Sequence, residues 1–315
     1  MPKISKPFTT YSQQISNLSK NKGLKINDAK RAEQLLKKCS YYALIDGYKD
    51  LFYNPMTRKY ISGASFEDIY ALYIFDEKLR SIVLKYLCNV EQRIRSLLSY
   101  AFCGTYSNNQ SDYLNPNNYN NIPKFSAGIS KLIRVLSNEA ITNTEHTYVV
   151  YQRNTYGNVP LWVITKTLTM GQLSKMYSFL PTAIQAKISI HFQGISEKNL
   201  SQMMKVITVY RNLCAHNERL FCHKCRYEIP DTRLHDKLKI SKTGSHYNLG
   251  KRDLFSVVIV LKYLLLPEDF KEFKKEVNSV ITIFQKQSPN TQISDLMSKM
   301  GFPNNWKNVG KYKNT

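Results

Sequence analysis

The segment Ser65–Phe102, SFEDIYALYIFDEKLRSIVLKYLCNVEQRIRSLLSYAF, decides the fold class. Within it Ile69, Leu72, Tyr73, Leu79, Ile82, Val83, Tyr86, Leu87, Val90, Ile94, Leu97 and Leu98 recur at steps of three and four. That period turns one side of an α-helix towards a core. Ser65 and Asp68 stand at its start, where short polar side chains accept the unpaired N–H groups of a first turn. The spacing predicts one long helix, ended by the Asn-rich stretch Cys103–Pro123, which reads as a surface loop.

Outward from this helix the same period returns in shorter pieces. On the N-terminal side these are Tyr11–Lys22, a run to Lys38 that starts at Asn27-Asp28, and a Tyr41–Leu44 segment. On the C-terminal side they are Phe125–Leu136, Pro160–Leu180 with proline in the first turn, Ser196 towards His216, Asp253–Leu266 and Glu268–Gln285, followed by a polar, basic tail. With 12 Gly and 11 Pro among 315 residues, tight turns are too scarce for a many-stranded sandwich or barrel. The expectation is an all-α protein: a small N-terminal helical subdomain over residues 1–60 and a larger helical domain over 61–315. The latter contains a basic connector at 220–252 and C-terminal helices at 253–300.

Lys and Arg number 45 against 23 Asp and Glu, a formal charge of +22 at pH 7. Such an excess points to a polyanionic partner, nucleic acid or an anionic membrane surface. The N-terminal Met-Pro-Lys-Ile-Ser-Lys-Pro lacks the apolar core of a signal peptide, and the most apolar stretch, Leu254–Leu266, is broken by Lys262. A span is therefore not expected, and the six cysteines do not read as a secreted disulfide framework. The expected location is the cytoplasm, with nucleic acid favoured over a membrane surface as partner.

No Walker loop, dinucleotide fingerprint, HExxH helix or GxSxG turn occurs. What stands out is Tyr210-Arg-Asn-Leu-Cys-Ala-His-Asn217. Arginine is a fixed cation suited to phosphate, and histidine moves protons near neutral pH. On a helix, Asn212 and His216 lie about 40° apart and Arg211 and His216 about 140° apart. An end at Ala215–Asn217 with Asn217 left-handed would free His216 to turn towards the guanidinium.

Arg211-Asn-x-x-x-His216 resembles the R-x4-6-H signature of HEPN-superfamily ribonucleases. Three further stretches resemble the bacterial abortive-infection family of the AbiD/AbiF type, placed in that superfamily. They are Lys6-Pro-Phe-Thr-Thr-Tyr11 with Tyr41-Tyr42 and Gly47-Tyr48, then Leu72–Arg80 through Glu91–Ser96, and Pro160-Leu-Trp162 through Gly171–Tyr177. The resemblance covers residues 6 to about 221. It departs at Lys166, where many relatives carry an acid one turn after the tryptophan. It implies a HEPN-type helical bundle and metal-independent RNA cleavage by the substrate's own 2′-OH. In that scheme Arg211 stabilises the charged phosphorane, His216 transfers protons and Asn212 orients His216 or the phosphate. It also implies a homodimer that brings two motifs together, and a small non-coding RNA that restrains a toxin.

Glu91 and Arg95, one helical turn apart, are expected to pair and to support the centre. In the connector, Lys224, Arg226, Lys237, Lys239 and Lys242 are candidate RNA contacts. Cys222-His-Lys-Cys225 is half of a zinc motif without its second half and reads as two ordinary thiols, so neither metal nor cofactor is expected. Trp162 and Tyr177 read as core packing. The alternatives are a non-catalytic RNA-binding protein and a membrane-surface protein.

Overall fold

The computed structural model describes residues 7–312. Met1–Lys6, and with them most of the N-terminal stretch considered above, lie outside the described residues. The helices are α1 (Tyr11–Ser16), α2 (Ala29–Cys39), α3 (Phe66–Cys103), α4 (Gln110–Leu114), α5 (Ser126–Ser137), α6 (Thr147–Tyr156), α7 (Leu161–Ile164), α8 (Met170–Phe179), α9 (Thr182–Ser189), α10 (Glu197–Ala215), α11 (Arg233–Lys237), α12 (Leu254–Leu264), α13 (Pro267–Gln287) and α14 (Ile293–Met300). Among the described residues the only strands form two hairpins of two-residue strands, Tyr53–Asn54 with Lys59–Tyr60 and Lys242–Thr243 with His246–Tyr247. The fold is all-α.

Helix α3 is the axis of the protein. Its start is a reciprocal cap: Ser65 Oγ accepts the Asp68 N–H at 3.1 Å, and Asp68 Oδ2 accepts the Ser65 N–H at 3.0 Å. At 38 residues it is about 57 Å long, enough to receive α7, α9, α10 and α13 along its sides. The N-terminal segment is tied to its start by backbone bonds from Lys25 N to Ala64 O and from Phe66 N to Lys25 O.

Four expectations need correction. Pro160–Leu180 is two helices rather than one: Pro160 is extended at ψ 155°, α7 stops at Ile164, and Thr169 starts α8 by exchanging caps with Gln172. β-Branched Thr165, Thr167 and Thr169 in five residues favour that break. Cys103–Pro123 is not a bare loop, because it contains α4 and buries Tyr113 and Tyr119, whose hydroxyls donate to Val159 O and Tyr113 O. The connector is folded: Cys225 N bonds Arg252 O, Ile229 N bonds Lys251 O, and Leu234, His235 and Leu238 are buried. Its lack of period reflects a segment clipped end to end rather than a mobile one. The polar tail beyond the helices expected to 300 likewise packs back on the fold and buries Phe302, Trp306 and Val309.

Candidate active site

Helix α10 carries the Arg–His motif. Ser196 Oγ accepts the Asn199 N–H at its start. At its end Asn217 adopts φ 57°, and the N–H groups of Glu218 and Asn217 return to the carbonyls of Leu213 and Cys214. This left-handed stop satisfies two orphan carbonyls and leaves His216 exposed at the last turn. Neither ring nitrogen of His216 bonds another described residue, and Asn212 is exposed beside it.

Arg211 points to α3. Its Nε donates to Glu91 Oε2 at 3.3 Å, its side chain keeps 30% exposure, and that of Glu91 keeps 6%. Glu91 Oε1 receives Arg95, one turn on. Arg95 also donates to Lys166 O at 3.1 Å and Leu168 O at 2.5 Å, the carbonyls released by the break between α7 and α8. A single buried carboxylate therefore lies between two guanidiniums. Arg211 makes no other hydrogen bond among the described residues, so its terminal nitrogens face no protein acceptor. Cys88, one turn before Glu91 and Gln92, is held up in pKa by partial burial and by the Glu91 charge.

The stop after α10 is anchored by residues that the motif alone does not reveal. Asp76, fully buried, accepts the Leu220 N–H at 3.0 Å, the Phe221 N–H at 2.7 Å, Tyr48 OH at 2.8 Å and Arg80 Nη1 at 2.7 Å. These bonds pin the backbone that leaves His216 to the N-terminal third of α3. A signal was present in the spacing: Asp76 stands four after Leu72 and three before Leu79, so it occupies the apolar stripe, as does Glu91 between Leu87 and Ile94. A charge on that stripe is buried and needs partners.

Arg211, Glu91 and Arg95 are thus brought together, whereas no bond joins Arg211 to His216 or Asn212. Of the connector residues, Lys224, Arg226 and Lys239 are exposed; Lys242 lies 3.8 Å from Asp236 and 4.2 Å from the centre of the Tyr247 ring. Lys237 is half-buried on α11. Cys222 is half-buried and Cys225 buried, and burial raises both thiol pKa values. Among the described residues no three His, Cys, Asp or Glu side chains cluster to hold a metal. Tyr177 is core, but Trp162 is 49% exposed, because α7 is a single turn that cannot cover its own face. Lys166 turns away from the centre, its ammonium 5.0 Å from the Tyr148 ring centre.

A family model described as "Abi-like protein" matches residues 34–222, more than half of the chain. The chain belongs to the Abi-like protein family. The match in this Abi-like protein holds Asp76, Glu91, Arg95, Arg211 and His216, and stops before Lys224 and the other basic residues of the connector. No curated protein and no solved structure is significantly similar to the chain. No helix among the described residues of this Abi-like protein is long and apolar enough to cross a membrane.

Proposed function

We propose that the chain is a HEPN-type endoribonuclease of an abortive-infection or toxin–antitoxin defence system, acting on RNA in the cytoplasm without a metal cofactor. The observation that supports this most is the state of Arg211: oriented through Nε by buried Glu91, part-exposed and with no other hydrogen bond among the described residues, on the same helix end that leaves His216 exposed. A guanidinium so held is ready for two phosphate oxygens.

In this reading the 2′-oxygen attacks the adjacent phosphorus while the P–O5′ bond breaks. Products end in 2′,3′-cyclic phosphate and 5′-OH. His216 takes the 2′-OH proton or supplies one to the departing 5′-oxygen, and Asn212 orients it. Arg211 stabilises charge that grows on the phosphorane, a contribution larger in the transition state than in the ground state. One motif per chain suits a homodimer in which two His216 rings supply the base and the acid. Glu91 and Arg95 position Arg211. Lys224, Arg226, Lys237, Lys239 and Lys242 bind the RNA backbone, and the charge of +22 suits restraint by a small non-coding antitoxin RNA.

The test is single-turnover cleavage of RNA by Arg211→Ala and His216→Ala, with RNA binding measured in parallel. Each variant is expected to cut at least roughly a hundredfold more slowly while still binding. Cleavage at the wild-type rate by Arg211→Ala would overturn the assignment, and binding without cleavage by the wild type would leave a non-catalytic RNA-binding protein.

A further inference from the structure

Beside the motif lies a groove of about 740 Å³, walled by α3, the end of α10 and the segment Lys38–Tyr48. We infer that it is a nucleobase subsite, receiving an unpaired base next to the scissile phosphate; this rests on the nuclease reading above.

Position is the first argument. On α10 the groove is lined by Ala215, four residues after Arg211 and so on the same face. On α3 it is lined by Leu84, one turn before Cys88, whose thiol feels the charges of Glu91 and Arg211. The groove therefore ends on the same face of α10 as Arg211, one turn away from it, although Arg211 does not itself line it. A nucleotide whose phosphate sits on that guanidinium can lay its base into the groove.

Chemistry is the second. In a chain of net charge +22, the groove lining is balanced, with Lys38, Arg80 and Arg219 against Asp46, Glu77 and Glu218. A phosphate pocket would show an excess of cations. A neutral wall carrying both donors and acceptors instead suits the edge of a base, where carboxylates accept from exocyclic amines and guanidiniums donate to ring carbonyls. Three tyrosines complete the wall: Tyr48 and Tyr73 meet edge to face at 5.4 Å, and Tyr42 is 80% exposed at the rim. Tyr48 is buried against Phe221 and forms the floor, so the face free to stack on an unpaired base is that of Tyr42.

The third argument is size and stiffness. The volume falls within the range of about 300–1,000 Å³ usual for small-molecule sites. The floor is fixed, because Tyr48 and Arg80 are both bonded to buried Asp76.

Two variants test the proposal from exposed positions: Tyr42→Ala, which removes the rim ring, and Ser81→Trp, which fills the groove from α3. Adenosine, guanosine, cytidine and uridine are titrated by saturation-transfer NMR against the full chain carrying Arg211→Ala, which holds the groove but does not cut. Binding of at least one nucleoside is expected, weakened roughly tenfold or more by either variant at unchanged melting temperature. With Arg211 intact, cut sites in a random RNA pool are sequenced and should show a base preference next to the cut that Ser81→Trp abolishes. No nucleoside binding, or binding indifferent to both variants, overturns the subsite. Nucleoside binding with an unchanged cut-site preference overturns its role towards substrate. Nucleoside binding by a wild type that cuts no RNA removes the nuclease reading while leaving the base-binding groove in place.

Discussion

Replacing Asp76 by Asn tests whether the buried carboxylate holds the turn that follows His216. The carboxylate is fully buried and accepts four hydrogen bonds, one of them from Arg80, which is 4% exposed. An amide keeps one oxygen and replaces the other by a donor. In one orientation the NH2 confronts the Phe221 N–H; in the other it confronts Tyr48, Arg80 and Leu220. Either way Arg80 loses its counter-charge. Breaking a buried pair costs about 3–5 kcal/mol. At about 2–4 °C per kcal/mol for a chain of this class, the melting temperature should fall by roughly 6–20 °C. The double variant Asp76→Leu, Arg80→Met removes both charges and leaves three neutral groups, the Leu220 and Phe221 N–H and the Tyr48 hydroxyl, without this acceptor, each worth about 1–3 kcal/mol when unpaired, but no unpaired charge in the core. It should melt above the single variant and below the wild type. In RNA cleavage the double variant should lose at least tenfold in rate, because the backbone that leaves His216 is no longer pinned. The assays are circular-dichroism melting and single-turnover cleavage. A single variant that melts with the wild type, or a double variant no more stable than the single, would refute the reasoning.

Substituting Lys237, Lys239 and Lys242 together by Ala should flatten the dependence of log K for RNA on log salt by up to about 2 in slope, at roughly 0.7 for each single-strand phosphate that is no longer neutralised. An unchanged slope removes this segment from the RNA surface. Sedimentation at micromolar concentration should show a dimer, and a fully active monomer contradicts the composite centre. Acidification should loosen the 220–252 segment through His235, which is buried, receives the Thr232 N–H at Nδ1 and faces Gly250 O at Nε2. Burial lowers its pKa, so below about 6.5 the unfolded chain takes a proton that the fold refuses, and this group's stabilisation drops as pH falls. Asp253, pushed up to about 6 by burial, acts with the opposite sign. The measurement is therefore the difference in urea midpoint between wild type and His235→Gln, which should shrink from pH 7.5 to 5.5.

The axis of the fold was readable because α3 combines a long 3.6-residue period with a polar cap, and both act locally. The position of the end of α10 was readable for the same reason, since Asn217 tolerates the left-handed turn, although what anchors the chain beyond it was not. What local pattern could not supply came from distant partners. Asp76 and Glu91 lie on an apolar stripe, and their roles depend on Leu220, Phe221 and Arg211, more than a hundred residues away. The break between α7 and α8 was hidden because Leu161, Ile164 and Leu168 keep steps of three and four up to it, and Met170, Leu173 and Tyr177 resume them beyond it. The threonines and the Arg95 contacts to Lys166 and Leu168 decide the matter. In the 220–252 segment, charge obscured a buried set that includes Leu234 and Leu238.

The central claim is that Arg211 and His216 direct the substrate's own 2′-oxygen. The most direct measurement is cleavage by the wild type in excess EDTA, with the new RNA ends identified chemically. The account predicts an undiminished rate, 2′,3′-cyclic phosphate and 5′-OH termini, and no cut in DNA of the same sequence, because the nucleophile comes from the ribose. Loss of cleavage on chelation, or DNA cut as fast as RNA, would contradict it.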